Sequence, residues 1–259
     1  SPPRSGWGIV SLRHRSPMAT AAVLIIGNEI LSGKFRDENS PWLATRLRQL
    51  GVDLVRIETI PDEVDIIADA VRRLRACADW VFTSGGVGPT HDDVTIEGVA
   101  AGLGVDVVHH PDLDRVLKEK MGARYTPAAA RMALVPEGAG LWWDGPFGFP
   151  QVHAQCVVIF PGVPALLRTK FDSIAHRLKG EVMLHRRLCT TRGESDIADA
   201  LRALQGHFPQ VQVGSYPRFE ERPWTVIVTL DSRDADALDR CHAALHDILA
   251  PELVEMSTE

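Results

Sequence analysis

Short continuous apolar runs alternate along this chain with apolar residues at helical spacing. The runs at 21–26 and 80–83 are typical of strands that are buried on both faces. Between the runs, apolar residues recur every three or four positions, as on the buried side of a helix. The pattern predicts strands at 21–26, 52–60, 80–83, 105–108 and 157–160. It predicts helices near Ser40, Pro61, Val94 and Pro164 and over 112–121 and 127–134.

This alternation predicts a doubly wound, mostly parallel α/β sheet over residues 19–180, with a ligand site beyond the carboxyl ends of the strands. A different order follows over residues 181–259, with strands at 182–190, 211–215 and 225–230 and helices at 194–204 and 234–249. This βαββα order predicts a small α+β domain. We expect residues 1–18 to form a mobile N-terminal extension or an upstream addition, with Met18 a candidate natural start.

The segment 84–95 reads Ser-Gly-Gly-Val-Gly-Pro-Thr-His-Asp-Asp-Val-Thr and joins a predicted strand to a predicted helix. Glycines there free backbone N–H groups, and with the positive end of the helix dipole they favour an anionic group such as a phosphate. Asp92 and Asp93 would repel a phosphate unless a divalent cation lies between them or they face the N–H donors of a ring. Alternatively, these carboxylates only cap the helix, with Thr90 and Asp93 as a capping box.

This segment closely resembles the signature of the molybdopterin-binding domain family, the MoaB/Mog domain of molybdenum-cofactor biosynthesis. It is most similar to the branch that CinA-like competence/damage-inducible proteins share with the N-terminal domain of eukaryotic FAD synthase. The turns at 135–139 and 161–164 also match the family, so the resemblance covers about 20–180. Residues 181–259 resemble, less specifically, the small domain that follows in CinA-like proteins. The resemblance implies a MoaB/Mog-like three-layer α/β fold and a homo-oligomer.

Two further polar clusters, 27–29 and 161–164, also follow predicted strands. The carboxyl ends of parallel strands meet at one edge of a sheet, so we expect both clusters to converge with the glycine segment. In the resembled family, the Gly-x-Glu turn and the asparagine at position 39 contribute to the pocket. The expected ligand-binding residues are Gly27, Asn28, Glu29, Asn39, Ser84, Gly85, Gly86, Gly88, Pro89, Thr90, Thr95, Pro161, Gly162 and Pro164.

The nearest branches imply that the protein hydrolyses a nucleotide pyrophosphate of the FAD or ADP-ribose type with Mg, Mn or Co. In that hypothesis the amides of Gly85, Gly86 and Gly88 hold phosphate oxygens, and Thr90 and Thr95 support the loop. Asp93 and Asp92 are the catalytic residues. Asp93 and Glu29 are the expected metal ligands, holding an ion that polarises the phosphorus and activates water.

Two other functions remain open at this stage. Adenylyl transfer to molybdopterin would use the same loop and metal. A binding protein without turnover would sequester a pterin or nucleotide, and Asn28 mildly favours it, because the FAD synthase branch often has an aspartate at this position.

Composition limits the partners and the compartment. The 259 residues are 45% hydrophobic and 24% charged, with a net charge of -6, so no affinity for nucleic acid or membrane is expected. The four cysteines have no paired spacing and are typical of a reduced cytoplasmic protein. The expected partner is a small nucleotide or molybdopterin.

Two further features could contact a ligand. Trp142 and Trp143 could stack on a flavin or pterin ring, although adjacent aromatic residues are more often one buried and one half-exposed. The glycine- and proline-rich loop 144–150 could fold over a ligand.

Overall fold

The computed structural model describes residues 19–145, 148–178, 180–218 and 225–254. The chain forms two compact units, residues 1–180 and 181–259. The expectations for residues 1–18 and for the middle of the loop 144–150, at Pro146 and Phe147, lie outside the described residues.

The first unit alternates strands and helices. Its elements are β1 (Thr20–Ile26), α1 (Asn28–Leu31), α2 (Asn39–Gln49), β2 (Asp53–Ile60), α3 (Val64–Cys77), β3 (Trp80–Ser84), α4 (Thr95–Leu103), β4 (Val107–His109), α5 (Pro111–Met121), α6 (Pro127–Ala130), β5 (Leu134–Pro136), β6 (Gly140–Trp142), β7 (Gln151–Ala154), β8 (Val157–Phe160) and α7 (Pro164–Ile174).

The main sheet has the strand order β2-β1-β3-β8-β7-β6. Strands β2, β1, β3 and β8 pair in parallel, whereas β7 and β6 are added antiparallel at one side. The predicted doubly wound, mostly parallel α/β fold is therefore confirmed. A separate two-stranded sheet pairs β4 with β5.

Strand β1 shows why its sequence is apolar without interruption. Its alternate residues Ala22, Leu24 and Ile26 pack into one core with α3 and α4. The residues between them pack into a second core, with α2 and α7 on the opposite face of the sheet. Because both faces of the strand are buried from Ala21 to Ile26, no position in this run is left for a polar residue.

Two parts of the first unit differ from the pattern-based prediction. The helix expected over 127–134 is wrong: α6 ends at Ala130, a 3-10 turn follows, and Leu134 begins β5. Val135 is buried against α5 in a small separate core and pairs with β4, so tertiary packing overrides the helical spacing. The antiparallel strands β6 and β7 were not predicted, because glycine and proline residues around 144–150 obscure their short apolar runs.

The second unit contains β9 (Leu184–Thr190), α8 (Glu194–His207), β10 (Gln212–Pro217), β11 (Val226–Ser232), α9 (Ala235–Leu249) and β12 (Leu253–Val254). Its strands form an antiparallel sheet in the order β10-β11-β9-β12. Val226, Val228 and Leu230 of β11 pack against apolar residues of α8 and α9. The predicted small α+β domain with βαββα order is confirmed, with β12 as an additional short strand.

None of the helices in the described ranges combines the length and the apolar composition that a membrane crossing requires. All four cysteines are free thiols, and Cys189 and Cys241 are buried.

Helices α3 and α4 pack at backbone distance, which holds the start of α4 in place. A Cβ atom on Gly98 would lie 2.5 Å from Cβ of Ile67, and one on Gly102 would lie 2.7 Å from Cβ of Val71. Only glycine fits at these positions without moving α3.

We therefore expect Gly98→Ala to lower the free energy of unfolding by about 1–3 kcal/mol through overpacking. The measurement is the urea midpoint followed by tryptophan fluorescence. Gly206→Ala in α8 is the control, because nothing lies within 4 Å of its Cβ position and alanine favours a helix. An unchanged midpoint for Gly98→Ala would show that α3 yields at no cost.

Candidate functional site

Three strands of the first unit end at one point, and their backbones touch there. A Cβ atom on Gly85 would lie 2.0 Å from the carbonyl oxygen of Ile26, the last residue of β1. A Cβ atom on Gly162, just after β8, would lie 3.3 Å from Cα of Gly85. The predicted convergence of the segments that follow β1, β3 and β8 is therefore visible in the backbone itself.

Asn39, at the start of α2, ties this junction together. Its Nδ2 donates to Oγ of Ser84 at 2.9 Å and to the carbonyl oxygen of Gly162 at 2.8 Å. The side chain is only 6% exposed, and its Oδ1 has no hydrogen-bond partner among the described residues. Asp37 holds the start of α2 by accepting from the backbone N–H groups of Asn39 and Ser40.

A cleft of about 710 Å³ opens above the junction. Most of the residues predicted from the sequence line it. They are Glu29, Asn39, Ser84, Gly85, Gly86, Gly88, Asp92, Asp93, Pro161, Gly162 and Pro164.

The glycine segment has backbone N–H groups without acceptors, but the prediction that Gly85 supplies one of them is wrong. Gly85 donates its N–H to the carbonyl oxygen of Phe160 at 3.2 Å, so it is not available to a phosphate. Within the described residues, the N–H groups of Gly86, Val87 and Gly88 donate no hydrogen bond. Gly85 and Gly86 have φ values of 110° and 62°, a conformation that favours glycine. The available donors are therefore the amides of 86–88.

Asp93 closes the glycine segment. Its Oδ2 accepts from the backbone N–H of Thr90 at 2.8 Å and from the Thr90 hydroxyl. Helix α4 begins only at Thr95, after Val94, so the capping-box prediction is wrong about the helix although the contact between Thr90 and Asp93 exists. Oδ1 of Asp93 accepts no hydrogen bond from the described residues, and Asp93 lines the cleft.

The other carboxylates that line the cleft differ in how far they are already engaged. Asp62 accepts from the backbone N–H of Asn28 at 2.7 Å, Glu38 lies 3.3 Å from Arg168, and Asp37 caps α2. Glu29 is exposed, and its carboxylate lies over Gly27. The nearby Thr90 hydroxyl, which donates to Asp93, and the backbone of Asp92 itself lower the pKa of the Asp92 carboxyl, so Asp92 is ionised at neutral pH. Within the described residues the Asp92 carboxylate accepts no hydrogen bond. Asp92, Glu29 and Oδ1 of Asp93 therefore remain for a ligand.

These carboxylates do not form a metal site by themselves. Among the described residues, no three carboxylate, histidine or cysteine side chains are grouped closely enough to hold an ion. A divalent ion with one or two protein carboxylates normally takes its other ligands from substrate phosphates and water. The residues thus fit a magnesium-type ion that binds together with a phosphorylated ligand.

Several predicted site residues lie outside the cleft lining: Gly27, Asn28, Pro89, Thr90 and Thr95. Gly27 donates to the carbonyl oxygen of Ile60 at 3.1 Å. Thr95 is fully buried and donates its hydroxyl to the carbonyl oxygen of Gly85 at 2.8 Å. Thr90 and Thr95 hold the loop in shape through these hydrogen bonds. The Asn28 side chain has no part in the cleft lining, so it does not distinguish among the proposed activities.

The sequence analysis did not identify several residues that line the cleft, including Phe35, Asp37, Glu38, Asp62, Val87 and Val163. Phe35 and Val163 are each 61% exposed, which is unusual for large apolar side chains and places an apolar rim at the mouth. Asp62 follows β2, so the rule that ligands lie beyond strand ends could have identified it.

The tryptophan pair lies away from the cleft. Trp142 stacks on His153 with ring centroids 4.0 Å apart, and the Arg177 guanidinium lies 4.9 Å from its ring. Trp143 is 47% exposed and does not line this cleft. Trp142 is therefore a packing residue of β6.

The fold and the cleft define an α/β protein that presents loop amides and carboxylates at converging strand ends. The family model described as "Probable molybdopterin binding domain" matches residues 22–180, and the one described as "FAD synthase, middle domain" matches residues 182–257. The chain belongs to the molybdopterin-binding domain family, and the resemblance found in the sequence is confirmed.

Relatives extend this assignment. A protein of Archaeoglobus fulgidus is 33% identical over 229 residues, which cover 88% of this chain and 96% of the relative. A probable FAD synthase of Caenorhabditis elegans is 31% identical over 264 residues, covering 91% of this chain and 51% of that protein. The chain thus spans about half the length of the FAD synthases it matches.

CinA proteins form the second group of relatives. A CinA-like protein of Fervidobacterium nodosum is 33% identical over 183 residues, covering 68% of this chain and 45% of that protein. The crystal structure of CinA from Thermoplasma acidophilum, a protein of unknown function, superimposes with a TM-score of 0.58 at 30% identity. That match covers 63% of this chain and 99% of the CinA chain.

We expect Asn39→Ala to lower the free energy of unfolding by about 1–3 kcal/mol, because it leaves Ser84 and Gly162 without their shared donor. Chemical denaturation measures the loss. Ser40→Ala is the matched control, since Ser40 is also 6% exposed but its Oγ has no partner among the described residues. Equal stability of the two variants would contradict the role given to Asn39.

Proposed function

We propose that this protein binds a nucleotide or pterin phosphate in the cleft and hydrolyses a nucleotide pyrophosphate of the FAD or ADP-ribose type with a divalent metal. The observation that carries the proposal is the juxtaposition of three free amides, at 86–88, with the unengaged Oδ1 of Asp93. Amides favour a phosphate, whereas a carboxylate beside a phosphate requires a cation between them.

In this proposal, different residues of the cleft bind the phosphate and the metal. The N–H groups of Gly86, Val87 and Gly88 hold oxygens of one phosphate and stabilise negative charge that develops there. Asp93, with Asp92 or Glu29, would hold the metal, which would supply polarisation of the phosphoryl group and acidification of a water molecule. Asn39 lines the cleft and fixes the strand-end junction by donating to Ser84 and to the carbonyl oxygen of Gly162.

The relatives support an enzyme of this kind without identifying its reaction. Both family matches concern cofactor chemistry, one named for molybdopterin binding and one for FAD synthase. Adenylyl transfer to molybdopterin is the second candidate, because the first family model carries that ligand in its name. It would use the same amides and carboxylates but would require ATP together with a pterin.

The test is incubation of the protein with FAD and with ADP-ribose across magnesium, manganese and cobalt, followed by chromatography of the products. We expect release of a nucleoside monophosphate, and we expect Asp93→Asn to lower turnover by about 100-fold or more. The carbonyl oxygen of the asparagine can still accept from Thr90, so the loop keeps its shape while the anionic ligand is lost.

Asp65→Asn, on the exposed side of α3 and outside the cleft, is the matched control and should retain full turnover. Equal turnover in a folded Asp93→Asn variant would remove Asp93 from the mechanism. Recovery of every pyrophosphate intact with all three metals would refute hydrolysis and would favour adenylyl transfer or binding without turnover.

A further inference from the structure

Strand β2 (Asp53–Ile60) lies at one end of the main sheet, and among the described residues no strand pairs with its outer edge. At the other end of the sheet, β6 is only three residues long. Two apolar side chains of β2 are unusually exposed, Val55 at 49% and Ile57 at 46%. A long edge strand with exposed apolar side chains is a template on which another strand can pair.

One hydrogen bond shows which backbone groups of β2 face outward. The carbonyl oxygen of Ile60 accepts from the N–H of Gly27, which follows β1, so the polar backbone groups of Ile60 face β1. Pairing with β1 is regular over 56–60, and in a regular strand these groups alternate in direction from residue to residue. Those of Ile57 and Thr59 therefore face away from the sheet. Within the described part of the chain, no hydrogen bond outside the sheet uses them.

Two opposite charges flank Ile57 on the neighbouring positions of the strand. Arg56 and Glu58 lie on the face covered by α3, where Oε2 of Glu58 accepts from Arg73 at 2.9 Å. The other oxygen of Glu58, Oε1, lies 3.5 Å from Arg56, which is a loose contact. Ile57 lies on the opposite face of the sheet, beside Val23. The outer edge of β2 therefore carries a positive, an apolar and a negative side chain in succession.

This order of charges is complementary to a second copy of itself. When two identical strands pair antiparallel about a two-fold axis, residues at equal distances on either side of the axis face each other. With the axis at Ile57, Arg56 of each copy faces Glu58 of the other. With the axis at Arg56 two arginines face each other, and with the axis at Glu58 two glutamates do. Opposite charges across a strand pair are stabilising and like charges are destabilising, so the charges select the register centred on Ile57.

The same register suits the backbone. Ile57 would take a hydrogen-bonded position, where each copy donates its outward N–H to the outward C=O of the other. Arg56 and Glu58 would take the non-hydrogen-bonded positions, in which facing Cα atoms are closer, at about 4.5 Å. Charged side chains on an edge strand ordinarily discourage pairing. On β2 they discourage the neighbouring registers and favour one.

We propose that β2 pairs antiparallel with β2 of a second copy of this chain, with the two-fold axis at Ile57, so that the main sheet continues from one copy into the other. The pairing covers the exposed Ile57 of both copies and forms two ion pairs between Arg56 and Glu58. Because the paired strands run in opposite directions, the carboxyl ends of the two sheets, where the clefts open, point away from each other. Each copy keeps its own complete cleft, and the inference is independent of the proposed function.

Charge reversal tests the register, with sedimentation velocity over a concentration series as the measurement. We expect the wild-type protein to pass from the mass of one chain to that of two. Arg56→Glu and Glu58→Arg each set like charges against each other at both contacts, so each should raise the dimer dissociation constant about tenfold or more. Arg202→Glu, an exposed reversal on α8, is the control and should dimerise as the wild type does.

A mixture of the two variants is the decisive arm. One copy then has two negative side chains at positions 56 and 58 and the other has two positive ones, so every facing pair in the mixed dimer is of opposite charge. We expect the mixture to dimerise at a concentration at which neither variant does so alone. Misfolding of a variant cannot produce this recovery, and circular dichroism checks the fold of each, since Glu58→Arg also removes the acceptor of Arg73.

A third variant tests the axis. Ile57→Lys sets two positive charges against each other where the two copies meet, and we expect it to abolish the dimer. Its control is Val108→Lys, which changes an exposed apolar residue of another strand, β4, and should leave the dimer intact.

Wild-type protein that keeps the mass of one chain up to its solubility limit would overturn the inference. An oligomer that neither charge reversal weakens would also overturn it, because a different surface would then hold the copies together. Failure of the mixed variants to recover the dimer would exclude the register centred on Ile57. Arg56, Ile57 and Glu58 do not line the cleft, so the result for hydrolysis bears on the proposed function alone.

Discussion

The close approach of three backbone segments at Gly85 is the constraint on which the site depends. Gly85 lies so near the carbonyl oxygen of Ile26 and the backbone of Gly162 that no side chain fits between them. The N–H of Gly85 is used in joining β3 to β8, which leaves the next three amides to project beyond the sheet. Asn39 then fixes the junction by donating to two of the segments. The amides are therefore held in place before any ligand binds.

The same junction explains why carboxylates and amides occur side by side. Asp93 hydrogen-bonds to Thr90 through one oxygen, which shapes the loop, and its other oxygen accepts no hydrogen bond from the described residues. A carboxylate beside a phosphate bound to these amides is unfavourable without a cation between them, so the arrangement is suited to a ligand and a divalent ion that bind together. A mostly apolar cavity that shares Gly86, Val87, Gly88 and Asp93 with the cleft lies beside this charged surface.

Much of the fold and part of the site could be predicted from the sequence, for identifiable reasons. The strand at 21–26 is buried on both faces, so its uninterrupted apolar run predicted it clearly. Ligands bind beyond the carboxyl ends of parallel strands, and this rule predicted that the segments 27–29, 84–95 and 161–164 converge. The role of Gly85 was mispredicted, because a glycine in a loop does not show whether its N–H is already bonded. The mostly apolar cavity beside the cleft was missed because its lining residues lie far apart in sequence, with Leu166 on α7, Glu97 on α4 and Phe149 in a loop. Their shared chemistry arises only on folding.

The most direct test of the account is the response of the backbone amides of the glycine segment to a nucleotide. In ¹⁵N-labelled protein titrated with AMP and magnesium, the amide signals of Gly86, Val87 and Gly88 should shift strongly downfield as they donate to the phosphate. The signal of Gly85, whose N–H is bonded to Phe160, should shift much less and serves as the internal reference. AMP binding that leaves the signals of 86–88 unchanged would contradict the account, since the phosphate would then lie elsewhere.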